Sequence, residues 1–239
     1  MDTPETSPQL LDGKYYEVAP PDSLAERMMV WARERIYRDF VAKCRPDAAT
    51  TVIDIGVSDV ITSAANGFER RYPHLEKVTA VGLGTAEAFQ AAFPSVTYRQ
   101  IVANEPLPFA DKSFDIAVSS AVLEHVGSDE HQRRFVAEMM RVGRRVFLTV
   151  PHRFFPVEHH TAIPFLHWTD ASFAPACRLL GKTAWSRPEN LILMSRRRLF
   201  SVCPPGAKVE IGLTGLPLGP FSANLYLYWD GREPVQGGR

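Results

Sequence analysis

Short β-branched apolar runs alternate with stretches of helical spacing along this 239-residue chain. Val52, Ile53 and Ile55 form a run within Thr51 to Asp59 (TVIDIGVSD) that turns at Gly56. Lys77 to Leu83 (KVTAVGL) and Val96 to Val102 repeat the pattern. Phe114, Ile116, Ala117 and Val118, and then Arg144 to Val150 (RRVFLTV), complete five strand candidates. Runs so nearly continuous suit parallel strands covered on both faces. Between them, Leu24, Met28, Trp31, Ile36, Phe40 and Val41 fall at helical spacing over Pro21 to Lys43, where Asp22 or Ser23 caps the start. A helical stretch is predicted after the first strand through Phe68, Glu69 and Arg71. A second, Asp129 to Val142, carries Phe135, Met139 and Val142 on one side. Val209 to Leu213 and Asn224 to Trp229 read as a final strand pair with a Gly/Pro-rich connection. The alternation predicts an α/β fold with a doubly wound parallel sheet and helices on both faces.

Composition narrows the partners. Twenty-seven basic residues balance 27 acidic ones, so no overall field draws the chain to nucleic acid or an anionic membrane, and no nucleic acid is expected. The short clusters Arg144, Arg145 and Arg196 to Arg198 read as solvated helix ends or caps. Cys44, Cys177 and Cys203 fit neither a disulfide framework nor a paired zinc motif, and are expected as reduced thiols in a cytoplasmic protein. The start, MDTPETSPQLLDG, has no apolar core, so residues 1–20 are expected as a flexible tail rather than a leader or membrane span. Residues 21–239 are then one domain.

The stretch Leu107 to Val126, LPFADKSFDIAVSSAVLEHV, joins a turn, a buried strand and the polar end Ser119, Ser120, Glu124 and His125. Polar groups at the carboxyl end of a strand mark the ligand crevice of open α/β sheets. This segment resembles the fourth strand and preceding loop of the class I S-adenosyl-L-methionine (SAM) dependent methyltransferases, in the small-molecule branch that includes the ubiquinone and menaquinone methyltransferases. The resemblance implies a Rossmann-like sheet of seven strands, mostly parallel with the last antiparallel, and SAM as cofactor. It implies cofactor contacts at Asp54, Gly56 and Ser58 after the first strand, Gly82 and Leu83 after the second, Ala103 and Asn104 after the third, and Ser120 after the fourth. Two departures stand out. Ser58 and Val60 replace glycines of the usual loop, and Leu83 stands where the family has a ribose-binding carboxylate, Glu87 being the nearest acid. Asn104 offers an amide to the adenine edge.

An insertion, residues 151–198, is expected to lie over the strand ends and meet a small-molecule acceptor. It holds His152, His159, His160 and His167, and its Ser195 is placed to cap a helix at Arg196 to Phe200. Methyl transfer needs alignment and, for a hydroxyl acceptor, a base, for which histidine is suited near neutrality. His160 is the first candidate, with Glu158 two residues earlier to orient its ring, and His125 is the second. His74 and His131 are expected in solvent. Phe154, Phe155, Phe165 and Trp168 either line an acceptor pocket or pack the insertion down. Glu158, His159, His160 and His152 have metal-binding side chains, but their spacing matches no standard ligand pattern and no metal is assigned. The function expected is methylation of a small molecule, such as a hydroxyl of a secondary metabolite, sugar or quinone. The alternatives are a methyltransferase-like partner subunit without turnover and a metal-dependent hydrolase.

Overall fold

A computed structural model describes residues 23–61 and 65–232, so the expectation of a flexible tail at residues 1–20 lies outside the described residues. Seven strands form one sheet: β1 (Val52–Ile55), β2 (Val78–Gly82), β3 (Thr97–Gln100), β4 (Phe114–Ser120), β5 (Gly143–Pro151), β6 (Val209–Thr214) and β7 (Asn224–Asp230). Their order is β3-β2-β1-β4-β5-β7-β6. The first five are parallel, and β7 runs antiparallel to both β5 and β6. This is the seven-stranded Rossmann-like arrangement expected. Strand order reverses between β1 and β4, where Val52 faces Val78 on one side and Ile116 on the other, so the crevice opens above this pair.

Alternation along each strand feeds two cores. Ile53, Ile55, Ala117, Val146, Leu148 and Leu225 face helix α3 (Asp129–Val142), with Val136, Met139 and Val142 buried against them. Val52, Val78, Ala80, Ile116, Val118 and Phe147 face the other way. There they meet Phe40 and Cys44 of helix α1 (Leu24–Cys44) and Phe89 of helix α2 (Glu87–Ala92). Ser23 caps α1, its hydroxyl accepting from the Glu26 N–H at 3.2 Å. Only the second half of α1 enters this core; Leu24, Trp31 and Val41 are exposed, and Met28 and Ile36 turn toward the crevice.

Two expectations need correction. Between β1 and β2 the described residues contain no regular helix, only turns over 67–71 and a 3-10 turn at Leu75–Lys77. Asn66 adopts a left-handed φ of 50° and spends its side chain on the loop after β1, so a helix cannot propagate through it. Arg145, expected as a solvated helix end or a cap, is not solvated but caps: it is 8% exposed and its guanidinium bonds the Cys44 carbonyl, closing the end of α1. Arg198 ties helix α5 (Arg196–Ser201) to Asp129 and Gln132 of α3, and Ser195 caps α5 as expected.

Residues 153–191 form a small layer with its own apolar centre of Ile163, Phe173, Cys177, Trp185 and Leu191, built around helix α4 (Asp170–Leu179). Backbone bonds from Arg153 N–H to Met194 O and from Ile192 N–H to Glu124 O, both 2.8 Å, fasten it to the sheet. The three cysteines are free, Cys44 and Cys177 being buried.

Candidate active site

Two glycines shape the floor of the crevice. Gly56 ends β1 at φ 93°, and a Cβ there would lie 2.4 Å from Val122 Cγ2. A Cβ on Gly82 would lie 3.0 Å from the Tyr98 hydroxyl and 3.2 Å from Val57 O. Backbone and ligand can approach closely only because both positions lack side chains. Asn66 replaces the missing loop glycines as the device that fixes this turn. Its amide accepts from the Ser58 N–H at 3.1 Å and donates to Ser58 O at 2.9 Å, while the Ser58 hydroxyl accepts from Val60 N–H.

One cavity of about 1470 Å³ runs from these strand ends to the insertion. It is lined by Gly56, Ser58, Gly82, Leu83, Ala103 and Asn104 among the sequence candidates. Leu83 is 52% and Val102 70% exposed, two apolar side chains facing the opening from the ends of β2 and β3. Such a slot suits a flat aromatic ring. Two acids line this end, Glu105 and Asp59, and the Asp59 carboxylate accepts from the Phe89 N–H at 2.9 Å and so caps α2 from across the loop; Glu87 is exposed on α2 and does not line the cavity.

Asp54 and Ser120 lie behind the cavity rather than in its wall. Asp54 is buried beside Glu69, with which it shares a hydrogen bond. Burial, then the charge of Glu69, pushes the Asp54 carboxyl well above its ordinary range. Ser120 accepts from Arg33 Nη1 at 2.6 Å and meets the Thr149 hydroxyl at 2.9 Å. Arg33 does line the cavity and brings it a positive charge from α1, a role that helical spacing alone does not reveal.

At the other end stand the histidines. β4 stops at Ala121, a non-glycine residue at φ 57°, whose N–H bonds Thr149 O at 2.9 Å. This reversal sends the chain into the 3-10 turn Leu123–His125 and presents Glu124 and His125 together. His125 donates its Nδ1–H to the Asn190 carbonyl at 2.7 Å, and its Nε2 lies 3.1 Å from Nε2 of His160. His160 in turn donates Nδ1–H to Glu158 Oε1 at 2.8 Å. The carboxylate orients the ring as expected, but through a tight turn rather than an extended strand. Glu158 Oε2 also accepts from the backbone N–H groups of His160 and Thr161 and from the Thr161 hydroxyl. Burial alone would raise the Glu158 pKa; the His160 and Thr161 contacts outweigh it and bring it to about 2. Burial disfavours the His160 cation, yet Glu158 reverses the sign and its pKa is raised. Burial, then the charge of His160, drives His125 down to about 3. Glu124 is 1% exposed and burial pushes its pKa up to about 7. Trp185 packs on both rings, its centroid 5.0 Å from His160 and 6.3 Å from His125.

The remaining histidines divide. His159 lines the cavity with its ring edge on Phe155. His152 bonds Ser222 O and His167 bonds Phe155 O, both holding loops. His131 is not simply in solvent: its Nδ1 bonds Val126 O and it faces the cavity. Of the four aromatic residues, Phe155 reaches the cavity, whereas Phe154, Phe165 and Trp168 pack on one another and on Phe221 outside it.

Residues 53–145 match the family described as the methyltransferase domain. No curated protein matches the sequence. Solved structures with the same fold include a SAM-dependent methyltransferase of Thermotoga maritima described as a possible histamine N-methyltransferase. It has a TM-score of 0.57 and 16% identity over 86% of this chain and 92% of that one. They also include the N-methyltransferase NodS of Bradyrhizobium japonicum in complex with S-adenosyl-L-homocysteine (SAH), with a TM-score of 0.55 and 13% identity over 92% of this chain and 96% of that one. Among the described residues no helix is long and apolar enough to cross a membrane.

Proposed function

We propose, from a chain whose residues 53–145 match the methyltransferase domain and whose fold is that of the class I SAM-dependent methyltransferases, that this protein methylates a small molecule. The observation that carries this reading is the continuity of one cavity from the glycine turns of β1 and β2 to the His125–His160 pair. Its volume exceeds the roughly 300–1,000 Å³ typical of a single ligand, which leaves room for a cofactor and an acceptor side by side.

The residues present fit SAM. Gly56 and Gly82 let it lie on bare backbone, Ser58 and Asp59 border the same loop, and Leu83 and Val102 flank a slot for adenine, with Ala103 and Asn104 at its edge. Arg33 offers charge to a carboxylate. Asp54 and Ser120 act indirectly, Asp54 from under the loop and Ser120 by holding Arg33. Bound SAM supplies an electrophilic methyl group on a good leaving group, so the protein has chiefly to align the acceptor and free it of its proton. Both Nδ1 atoms of the pair are committed to acceptors, which leaves the Nε2 atoms, facing each other 3.1 Å apart at the cavity wall, as the groups that can take a proton. Glu158 fixes the His160 tautomer and stabilises positive charge on the ring. A hydroxyl acceptor loses its proton at this edge. The relatives described as N-methyltransferases widen the acceptor class to amines without moving the site.

Calorimetric titration with SAM and SAH tests the cofactor half, and transfer of a labelled methyl group from SAM to a panel of phenols, sugars and amines tests the other. Binding of both ligands, with affinity lowered in Arg33→Met, is expected. Binding of neither would sink the reading; binding without transfer to any acceptor would favour a partner subunit without turnover.

A further inference from the structure

We propose that Glu124, His125 and His160 form a binding site for one divalent transition-metal cation of the Zn2+ class. The case begins with hydrogen bookkeeping on the two rings. A backbone carbonyl cannot donate, so the 2.7 Å bond to Asn190 O places the His125 proton on Nδ1. The 2.8 Å bond to Glu158 places a His160 proton on Nδ1 as well. In their neutral forms the two rings would point Nε2 lone pairs at each other across 3.1 Å. Such an approach is repulsive unless a cation, a proton or a metal ion, sits where both lone pairs aim.

Glu124 is the second, independent observation. It is 1% exposed, and among the described residues neither carboxylate oxygen has a hydrogen-bond partner. Leaving a buried carboxylate unsatisfied is destabilising, so native structures pair such groups or place them on a metal. Its Oε1 lies 3.9 Å from His125 Nε2, and one ligand atom from each of the three residues falls within a 4.8 Å span. Two histidines and one carboxylate are a familiar donor set for Zn2+ and its neighbours in the first transition row, whereas Mg2+ prefers oxygen donors only. With metal–nitrogen distances of about 2.0–2.1 Å, nitrogens 3.1 Å apart subtend an angle of about 100° at the ion, within the tetrahedral range. The carboxylate completes the set by closing to about 3.3 Å from the nitrogens, a side-chain rotation of about 1 Å.

The partners behind the rings follow the same logic. Ligating histidines characteristically donate the other ring N–H to a carboxylate or a backbone carbonyl, and here one does each. His125 and His160 line the cavity while Glu124 stands behind them, so the fourth position opens toward the cavity. A hydroxyl entering there would be made more acidic by the cation and would release its proton to solvent in the cavity, the two Nε2 atoms then serving as ligands instead of as the base. Cation binding itself stands whether or not the chain transfers methyl groups. The sequence hides the set because its members lie 35 residues apart and meet only when the insertion folds back over β4.

Full-length protein stripped with a chelator is titrated with Zn2+ by calorimetry and with Co2+ by visible absorption, with Mg2+ as comparator. The expected result is one equivalent of Zn2+ at micromolar or tighter affinity, ligand-field bands with Co2+, and no comparable binding of Mg2+. His160→Gln and Glu124→Gln should each weaken Zn2+ at least tenfold, and Glu158→Gln by about tenfold. SAH titration of each variant reports whether the cofactor half is folded. If a variant fails that control, the wild-type stoichiometry and Co2+ spectrum decide. Wild-type protein that takes up no Zn2+, or folded variants that bind it as tightly as wild type, would overturn the proposal and leave a shared proton between the rings. Zn2+ binding without SAH binding would defeat the methyltransferase reading alone, and SAH binding without Zn2+ would defeat this one alone.

Discussion

At Gly56 one residue decides whether the crevice exists. Its φ of 93° and the 2.4 Å approach of Val122 to a would-be Cβ make any side chain both strained and clashing. Gly56→Ala is expected to cost about 1–3 kcal/mol in a urea denaturation series and to weaken SAH binding in calorimetry. An unchanged midpoint together with unchanged affinity would show that the turn relaxes freely. His160 is the opposite case, a residue whose loss should spare the fold. His160→Gln keeps size and polarity but removes the ring, so turnover should fall about 10²–10⁴-fold. SAH affinity should stay within about twofold, since the strand-end wall of the cavity, where SAM is proposed to lie, is built by other residues. Turnover close to wild type would remove the histidine pair from the mechanism.

Among the elements, the insertion behaves as a unit that supports chemistry it does not supply alone. Trp185 is 4% exposed in its apolar centre and also packs on the His125 and His160 rings. Trp185→Ala should cost the layer about 3–5 kcal/mol. Hydrogen exchange should rise over residues 153–191 while the strands stay protected, and acceptor KM should rise with SAH affinity unchanged. Exchange that rises equally in β1 and β4 would mean that insertion and sheet open together. A different clamp holds the loop before β4. Arg141 of α3 donates to the Leu107 and Phe109 carbonyls and pairs with Glu138 and Asp111, fixing the stretch that carries Leu107 into the cavity wall. Its hydrogen bond holds the Glu138 pKa below the usual range, so this contact favours the fold above the unfolded carboxylate pKa and fades as pH falls.

For the molecule as a whole, the buried pair Asp54 and Glu69 gives the opposite pH response. Burial raises both carboxyls, and Glu69 raises Asp54 further. Between the unfolded values, about 4, and the raised folded values, the native state keeps a proton that the unfolded chain has lost. Unfolding then releases a proton, so stability falls as pH rises from about 4 toward neutrality. Asp54→Asn removes the Asp54 share of this linkage while keeping shape. Its melting temperature should therefore fall less than that of wild type between pH 4 and 7. Parallel curves would mean that the pair ionises as readily in the fold as outside it.

Strand candidates, the helix Asp129–Val142 and the final hairpin were legible in the sequence because period and punctuation are local properties. The LPF to LEH stretch marked the crevice for the same reason: turn, strand and polar strand end follow one another directly in the chain. One wall of the cavity was partly readable, since Gly56, Ser58, Gly82, Leu83, Ala103 and Asn104, which line it, follow the strands that the pattern predicts. Arg33 and Asn66 escaped, one lying on a helix of weak amphipathic pattern and the other using an amide that reads only as a turn signal beside Gly67. The meeting of Glu124 and His125 with His160 belonged to the tertiary structure alone. Nothing local relates the end of β4 to a turn 35 residues later, and what joins them is the burial of Trp185 and the docking of the insertion on the sheet. Sequence thus determined the elements and the place of the crevice, through periodicity; tertiary packing decided which charged side chains face one another inside it.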